Sequence, residues 1–250
     1  MSFVIPEDKY KDTYREEYSV MSHDVDAEYR VRPSIYLRYM QETANHQMRD
    51  SRPTYTELFE DGKAFILSRV RVEIYKPLKQ YDRITVQTWP SKDKGLTFTR
   101  SYRIICDGEI VAVGSSAWAL LDIKNGGFIR CDGELLKNYY HAEKLEGLPL
   151  RFPMPKTEFA FRGSRTVGYN DTDVNGHMNN TNYPDALTNF IDDARDSELC
   201  SMTLSYSSEA KLGSEMNVYT YRDVTDDGKV NYVRSMIGDS VNVEAKFIYK

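Results

Sequence analysis

Polar and apolar residues alternate with period two along much of this chain. The stretches RVRVEIY (69–75), DRITVQTW (82–89), LTFTRSYRI (96–104) and VNVEAKFIY (241–249) all show it. Alternation over this length predicts antiparallel strands with one face on a core and the other in water. The stretch EIVAVGSSAWALLDI (109–123) is apolar on both phases and predicts a more buried strand. Helical periodicity stands out twice. After Pro33, with Ser34 as the expected N-cap, Tyr36, Tyr39, Met40, Thr43 and Ala44 fall at i, i+3, i+4, i+7 and i+8. After Asn180 and Thr181, the residues Tyr183, Ala186, Leu187, Phe190 and Ile191 repeat that spacing, and Pro184 suits a first turn. Each stripe is wide enough to lie against a sheet.

The two stripes are 147 residues apart, and the same offset superposes Val20 on Val167 and Asp26 on Asp173. A run of alternating strands follows each helix, with the offset falling to about 133, where Asp82 meets Glu215. Order and spacing agree over several elements, which favours an internal duplication over a chance overlay of two amphipathic helices. The predicted class is α+β: two units, each an antiparallel sheet around one long helix. The stretch KLEGLPLRFPMPKTEF (144–159) holds three prolines and few strand signals, and marks a linker. The expected division is 1–140, a linker at 141–160, and 161–250.

Composition narrows the setting. The chain has 250 residues, 40% hydrophobic, with 19 tyrosines, which argues against disorder. No run of about 18 apolar residues suggests a membrane span, and the opening MSFVIPEDKYKDTYREEY has no apolar signal core. The three cysteines, Cys106, Cys131 and Cys200, are widely spaced and show neither a disulfide framework nor metal spacing. A cytoplasmic location is the expectation, with no metal and no cofactor. A net charge of −5 argues against general nucleic-acid binding. A homodimer is left open.

The candidate chemistry lies in DTDVNGHMNNTNY (171–183). On an extended segment, alternate spacing puts Asp173, Asn175 and His177 on one face. Gly176 permits a turn or a close approach, and the second helix is expected to begin near Thr181. An acid, an amide and an imidazole thus converge beside a helix start, whose amides carry partial positive charge. Such donors stabilise a carbonyl oxygen that becomes negative in acyl transfer or hydrolysis. Each residue alone has a plainer account: Asp173 as a turn cap, Asn175-Gly176 as a turn dipeptide, His177 as a buried, satisfied histidine. The combination carries the argument. The matching positions of the first unit, Asp26, Glu28 and Arg30, keep the acid and lack the amide and imidazole. Glu209 is a further acid, 32 residues after His177 near the start of a strand.

The segment DTDVNGHMNNTNY resembles the D-x-N-x-H-x-N-N-x-x-Y signature of acyl-acyl-carrier-protein thioesterases, a family of tandem hotdog domains. SVMSHDVDAEYRVRPSIYLRYMQETA resembles its first hotdog helix region, and GLTFTRSYRI and AVGSSAWALLD resemble the strands that follow. The resemblance implies two tandem hotdog domains and hydrolysis of fatty acyl thioesters on acyl carrier protein. It implies catalysis in the C-terminal hotdog and much of the acyl pocket in the N-terminal one. It makes Asp173, Asn175, His177 and Glu209 the expected catalytic residues. Plant members carry a cysteine directly after that glutamate; here the residue is Ala210, which rules out a thiol at this site. The working mechanism is attack by water, with His177 and Glu209 sharing general-base work and the backbone amides of Gly176, His177 and Met178 holding the oxyanion. Asp173 either fixes the loop or attacks the carbonyl itself. Carrier proteins are acidic, so the locally basic stretches 69–83 and 151–165 suggest docking through Lys76, Lys79, Arg83, Arg151 and Arg162. Two other readings stand beside this one: a hotdog enzyme acting on coenzyme A esters, and a non-catalytic acyl-binding module.

Overall fold

The computed structural model describes residues 10, 12–91, 95–131, 133–139 and 141–250. Most of the opening stretch MSFVIPEDKYKDTYREEY, which is expected to hold no signal core, lies outside the described residues. No helix among the described residues is long and apolar enough to cross a membrane.

The first unit holds β1 (Tyr14–Ser19), α1 (Pro33–Asp50), α2 (Tyr55–Glu60), β2 (Lys63–Ile74), β3 (Arg83–Pro90), β4 (Phe98–Cys106), β5 (Glu109–Asp122) and the two-residue β6 (Phe128–Ile129). The second holds β7 (Ala160–Thr166), α3 (Tyr183–Thr188), α4 (Asp193–Asp196), β8 (Leu199–Tyr206), β9 (Glu215–Thr225), β10 (Gly228–Ile237) and β11 (Ser240–Tyr249). Every strand predicted from alternation is present. They form one antiparallel sheet in the order β1-β3-β4-β5-β2-β8-β11-β10-β9-β7, with β6 beside β5. The second half of that order repeats the first in reverse, so the units are related by a pseudo-twofold axis between β2 and β8. Across that junction Arg71 pairs with Thr203, its own counterpart.

The duplication extends to single hydrogen bonds. The Val20 amide donates to Asp82 O and the Val167 amide to Ser214 O, both at 2.9 Å. Asp82 therefore corresponds to Ser214, and the second offset is 132 rather than 133. This is the tandem hotdog arrangement.

Helix α1 buries the predicted stripe of Tyr36, Tyr39, Met40, Thr43 and Ala44. Its start differs from the expectation. Pro33 opens the helix, and Ser34 is not the cap; its amide and hydroxyl donate to Asp185 of α3 at 2.9 and 2.6 Å. An acid from one unit thus satisfies orphan donors of the other unit's helix. The second helix is short. A single 3-10 turn at Asn180–Asn182 leads into six residues of α3. The chain then breaks at a turn although Leu187 and Ile191 remain buried. Thr188 sends its hydroxyl back to Pro184 O at 2.8 Å, and Asn189 and Asp192 follow; such residues compete with helical hydrogen bonding. One apolar cluster joins both helices to both halves of the sheet, from Val20 and Met40 to Leu187 and Phe247.

Candidate active site

The motif does not run extended. Thr172 and Met178 pair as the base of a small hairpin. The Gly176 amide donates to Asp173 O and the Asp173 amide to His177 O, both at 2.9 Å. Gly176 has φ +76°, a conformation that a glycine adopts without a Cβ penalty. The Asp173 carboxylate accepts the Asn175 amide at 2.9 Å, closing an Asx turn. The expectation of three side chains on one face of an extended segment therefore fails. The Asx turn and the left-handed glycine reverse the chain before the alternation completes, and Asn175 and Val174 stand exposed at the tip.

Beyond the hairpin the chain is tied down. The Met178 amide donates to Ala210 O at 2.8 Å, and the Asn179 amide to Asp171 O at 2.9 Å. Asn179 then caps the coming turn through the Thr181 amide at 2.9 Å. His177 pairs with Lys211 across the gap, which brings the segment after β8 alongside. His177 Nε2 lies 2.9 Å from Glu209 Oε2, with the side chains 26% and 61% exposed. The imidazole is thus half-sheltered, while the carboxylate faces solvent. The structure joins His177 to Glu209, holds Asp173 in the loop and leaves Asn175 at its rim.

The expected oxyanion donors divide. Gly176 and Met178 have spent their amides on Asp173 O and Ala210 O, because one closes the hairpin and the other fixes it to the neighbouring segment. The His177 amide meets no acceptor among the described residues. The five expected docking cations, all exposed, do not form one patch. Lys76 pairs with Glu109 at 3.2 Å and Arg162 with Asp192 at 2.8 Å. Arg162 lies on β7 and Arg83 on β3, towards opposite ends of the sheet.

A narrow apolar cavity of 20 Å³ leads from Asn180 and Thr181 between α1 and the sheet, past Leu37, Met40, Tyr102 and Trp118. A wider, charged cleft of 690 Å³ lies where Glu28, Arg30 and Pro77 of the first unit meet Arg195, Glu198 and Lys250 of the second. Sequence reasoning missed Tyr183 and Asn242 as parts of the site. Burial pushes the Tyr183 hydroxyl pKa up, against hydrogen bonds from Asn242 and the Ala210 amide. Tyr183 was visible as an apolar-stripe residue and as the last position of the signature, with no role attached to it.

Comparison with known proteins fits this arrangement. The family model described as the acyl-ACP thioesterase N-terminal domain matches residues 11–139, and that of the acyl-ACP thioesterase C-terminal domain matches 156–250. A chloroplastic palmitoyl-acyl carrier protein thioesterase of Cuphea hookeriana is 24% identical over 240 residues, covering 86% of this chain and 56% of that protein. The chain thus spans little more than half the length of the curated relatives it matches. An acyl-ACP thioesterase from Bacteroides thetaiotaomicron superposes with TM-score 0.80 at 21% identity, covering 94% of this chain and 97% of that one. A 12:0-ACP thioesterase from Umbellularia californica gives TM-score 0.80 at 17% identity over 98% of both chains. At these identities the two superpositions establish the fold, and the two family matches, which together take in most of the chain, establish the lineage: the protein belongs to the acyl-ACP thioesterase family.

Proposed function

We propose that the chain hydrolyses fatty acyl thioesters carried on acyl carrier protein, releasing the free fatty acid. The observation that carries this reading is the 2.9 Å contact between His177 and Glu209 beside the motif hairpin. Water attacks the thioester carbonyl and gives its proton to the His177–Glu209 pair. The tetrahedral intermediate collapses, the carbon–sulfur bond breaks, and the thiolate takes the proton back. A thiolate leaves readily, so a base of ordinary strength suffices. The His177 amide is the backbone donor left for the oxyanion. Asp173 acts as the positioner of the loop, since its carboxylate is already engaged by the Asn175 amide. Asn175, at the hairpin rim, orients the attacking water. Ala210 stands where a thiol nucleophile would have to be, and it is fully buried.

The acyl chain enters the narrow cavity past Asn180 and Thr181. Its room is about that of one water, so binding displaces side chains such as Met40 and Trp118. The acidic carrier meets exposed cations, of which Lys79, Arg83 and Arg151 carry no ion pair among the described residues. A reducing, cytoplasmic setting suits the free thiols of Cys106 and Cys200. The test is hydrolysis of an acyl-carrier-protein panel beside the matching coenzyme A esters. A higher kcat/KM on the carrier esters, falling as salt screens exposed charges, supports the reading. Equal or reversed ratios would give the site to coenzyme A esters, and no turnover of either would leave an acyl-binding module.

A further inference from the structure

Glu209 is exposed, with its side chain 61% accessible, yet both its chain neighbours are fixed. The cause is a β-bulge. Where β10 pairs with β11, Ser235 faces Val243 and Met236 faces Val241, so Asn242 is left without a ladder partner. A bulge re-aims its extra side chain, and Asn242 is fully buried. Its amide nitrogen donates to Ser208 O and to the Tyr183 hydroxyl, the latter at 3.2 Å. Its carbonyl oxygen accepts from the Ser235 hydroxyl. Its backbone carbonyl accepts the Ser207 and Ser208 amides at 2.9 and 3.2 Å. The Tyr183 hydroxyl lies beside the Ala210 amide, and Ala210 O takes the amide of Met178, next to His177. Residues 208 and 210 are therefore held by one Asn–Tyr pair, with Glu209 between them.

The first unit provides an internal control. It has the same bulge, for the pairs Ile104–Ala112 and Ile105–Ile110 leave out Val111. Val111 O accepts the Tyr75 and Lys76 amides at 2.8 and 3.2 Å, matching Asn242 O. Tyr36 accepts the Leu78 amide at 3.3 Å, matching Tyr183 and Ala210. The fold is thus built with valine at this position, and the buried amide occurs only in the unit that carries His177 and Glu209.

We infer that Asn242, acting with Tyr183, is a positioning residue that sets Glu209 against His177. The inference rests on the catalytic reading of that pair. A shift of about 1 Å in a catalytic group costs on the order of 100-fold, so a device that fixes the backbone on both sides of Glu209 has a measurable effect. The test uses Asn242→Val, which copies the first unit, and Tyr183→Phe, each made in the native chain and in Glu209→Gln. With acyl-carrier-protein substrate, both should lower kcat about 10- to 100-fold, leave KM nearly unchanged and keep the native circular dichroism. In the Glu209→Gln background neither should lower kcat further, because a group already removed cannot be misplaced. A purely structural role predicts the same proportional loss in both backgrounds. That result, or unchanged kcat in Asn242→Val, overturns the inference while leaving a crippled Glu209→Gln to support the catalytic pair. A fully active Glu209→Gln overturns both.

Discussion

The hairpin before α1 and the hairpin before α3 are the same construction with different contents. In the first, the Asp26 amide donates to Arg30 O at 2.8 Å and the Tyr29 amide to Asp26 O at 3.1 Å. In the second, Asp173, Gly176 and His177 make the same bonds. Asp26 accepts the Glu28 amide as Asp173 accepts that of Asn175. Val25 pairs with Val31 as Thr172 pairs with Met178, and Arg30 pairs with Lys79 as His177 pairs with Lys211. The backbone therefore specifies a platform and no chemistry. What differs is the residue at the end of the hairpin and the one opposite it: Arg30 against Pro77, His177 against Glu209. Arg30 reaches into the other unit, donating to Ser197 O at 2.8 Å and Arg195 O at 2.9 Å. His177 is left to face the Glu209 carboxylate. One copy clamps the units together, and the other sets an imidazole against a carboxylate.

The comparison is most exposed to failure in rate measurements. On the proposed function His177 and Glu209 share general-base work, so His177→Ala and Glu209→Gln should each lower kcat roughly 10²–10⁴-fold with folding retained. Glu28→Ala and Arg30→Ala should change kcat only a few-fold. Activity assays on all four, with circular dichroism as the folding control, decide it. An Arg30→Ala protein that is folded and as slow as His177→Ala would break the division between the clamp and the proposed catalytic pair.

Arg30 should matter in a different measurement. Its side chain is only 21% exposed, and its guanidinium also pairs with Asp26 at 3.0 Å. Arg30→Ala leaves the Ser197 and Arg195 carbonyls without this donor, at a cost of about 1–3 kcal/mol. Thermal denaturation should show a clear drop in Tm, while His177→Ala, whose ring makes one partly exposed contact, should melt close to the native protein. Equal Tm losses would mean that both hairpins hold the units together.

The strands were legible because alternation is a local signal. Arg69, Arg71 and Glu73 point one way, Val70, Val72 and Ile74 the other, whatever the rest of the chain does. The duplication was legible for the same reason, since two stripes can be compared without knowing where they pack. Other features depend on partners far along the chain. Ser34 looks like a cap until Asp185 arrives from the other helix. The stripe through Ile191 promises a long helix, yet Thr188, Asn189 and Asp192 break it while its apolar residues stay buried in separate pieces. Asn242 falls in phase with the outward Glu244 and Lys246; only the bulge, set by pairing with β10, turns it inward. At the site, His177 and Glu209 were found as residue types, and their contact required the pairing of 177 with 211. The hairpin was the opposite case, for Asp173, Asn175 and Gly176 carry turn chemistry in plain view, and alternate spacing concealed it.

The smallest expected effect lies at the hairpin tips, and it asks whether the two platforms are equally strained. Tyr29 has φ +59° where its counterpart Gly176 has φ +76°. A tyrosine in the left-handed region carries a penalty of about 1–2 kcal/mol. Replacing it with glycine removes that penalty but adds roughly 0.5–1 kcal/mol of unfolded-state entropy. The ring is 69% exposed, so little packing is lost. Tyr29→Gly should therefore leave stability within about 1 kcal/mol of native. At Gly176 a Cβ would meet nothing within 4 Å, so Gly176→Ala is resisted by backbone conformation alone and should cost on the order of 1 kcal/mol. Denaturant midpoints for the two variants should move by small amounts, with only Gly176→Ala clearly downward. A large loss in Tyr29→Gly would show that the exposed ring is held by contacts the second hairpin lacks, and that the two platforms are less alike than their hydrogen bonds make them.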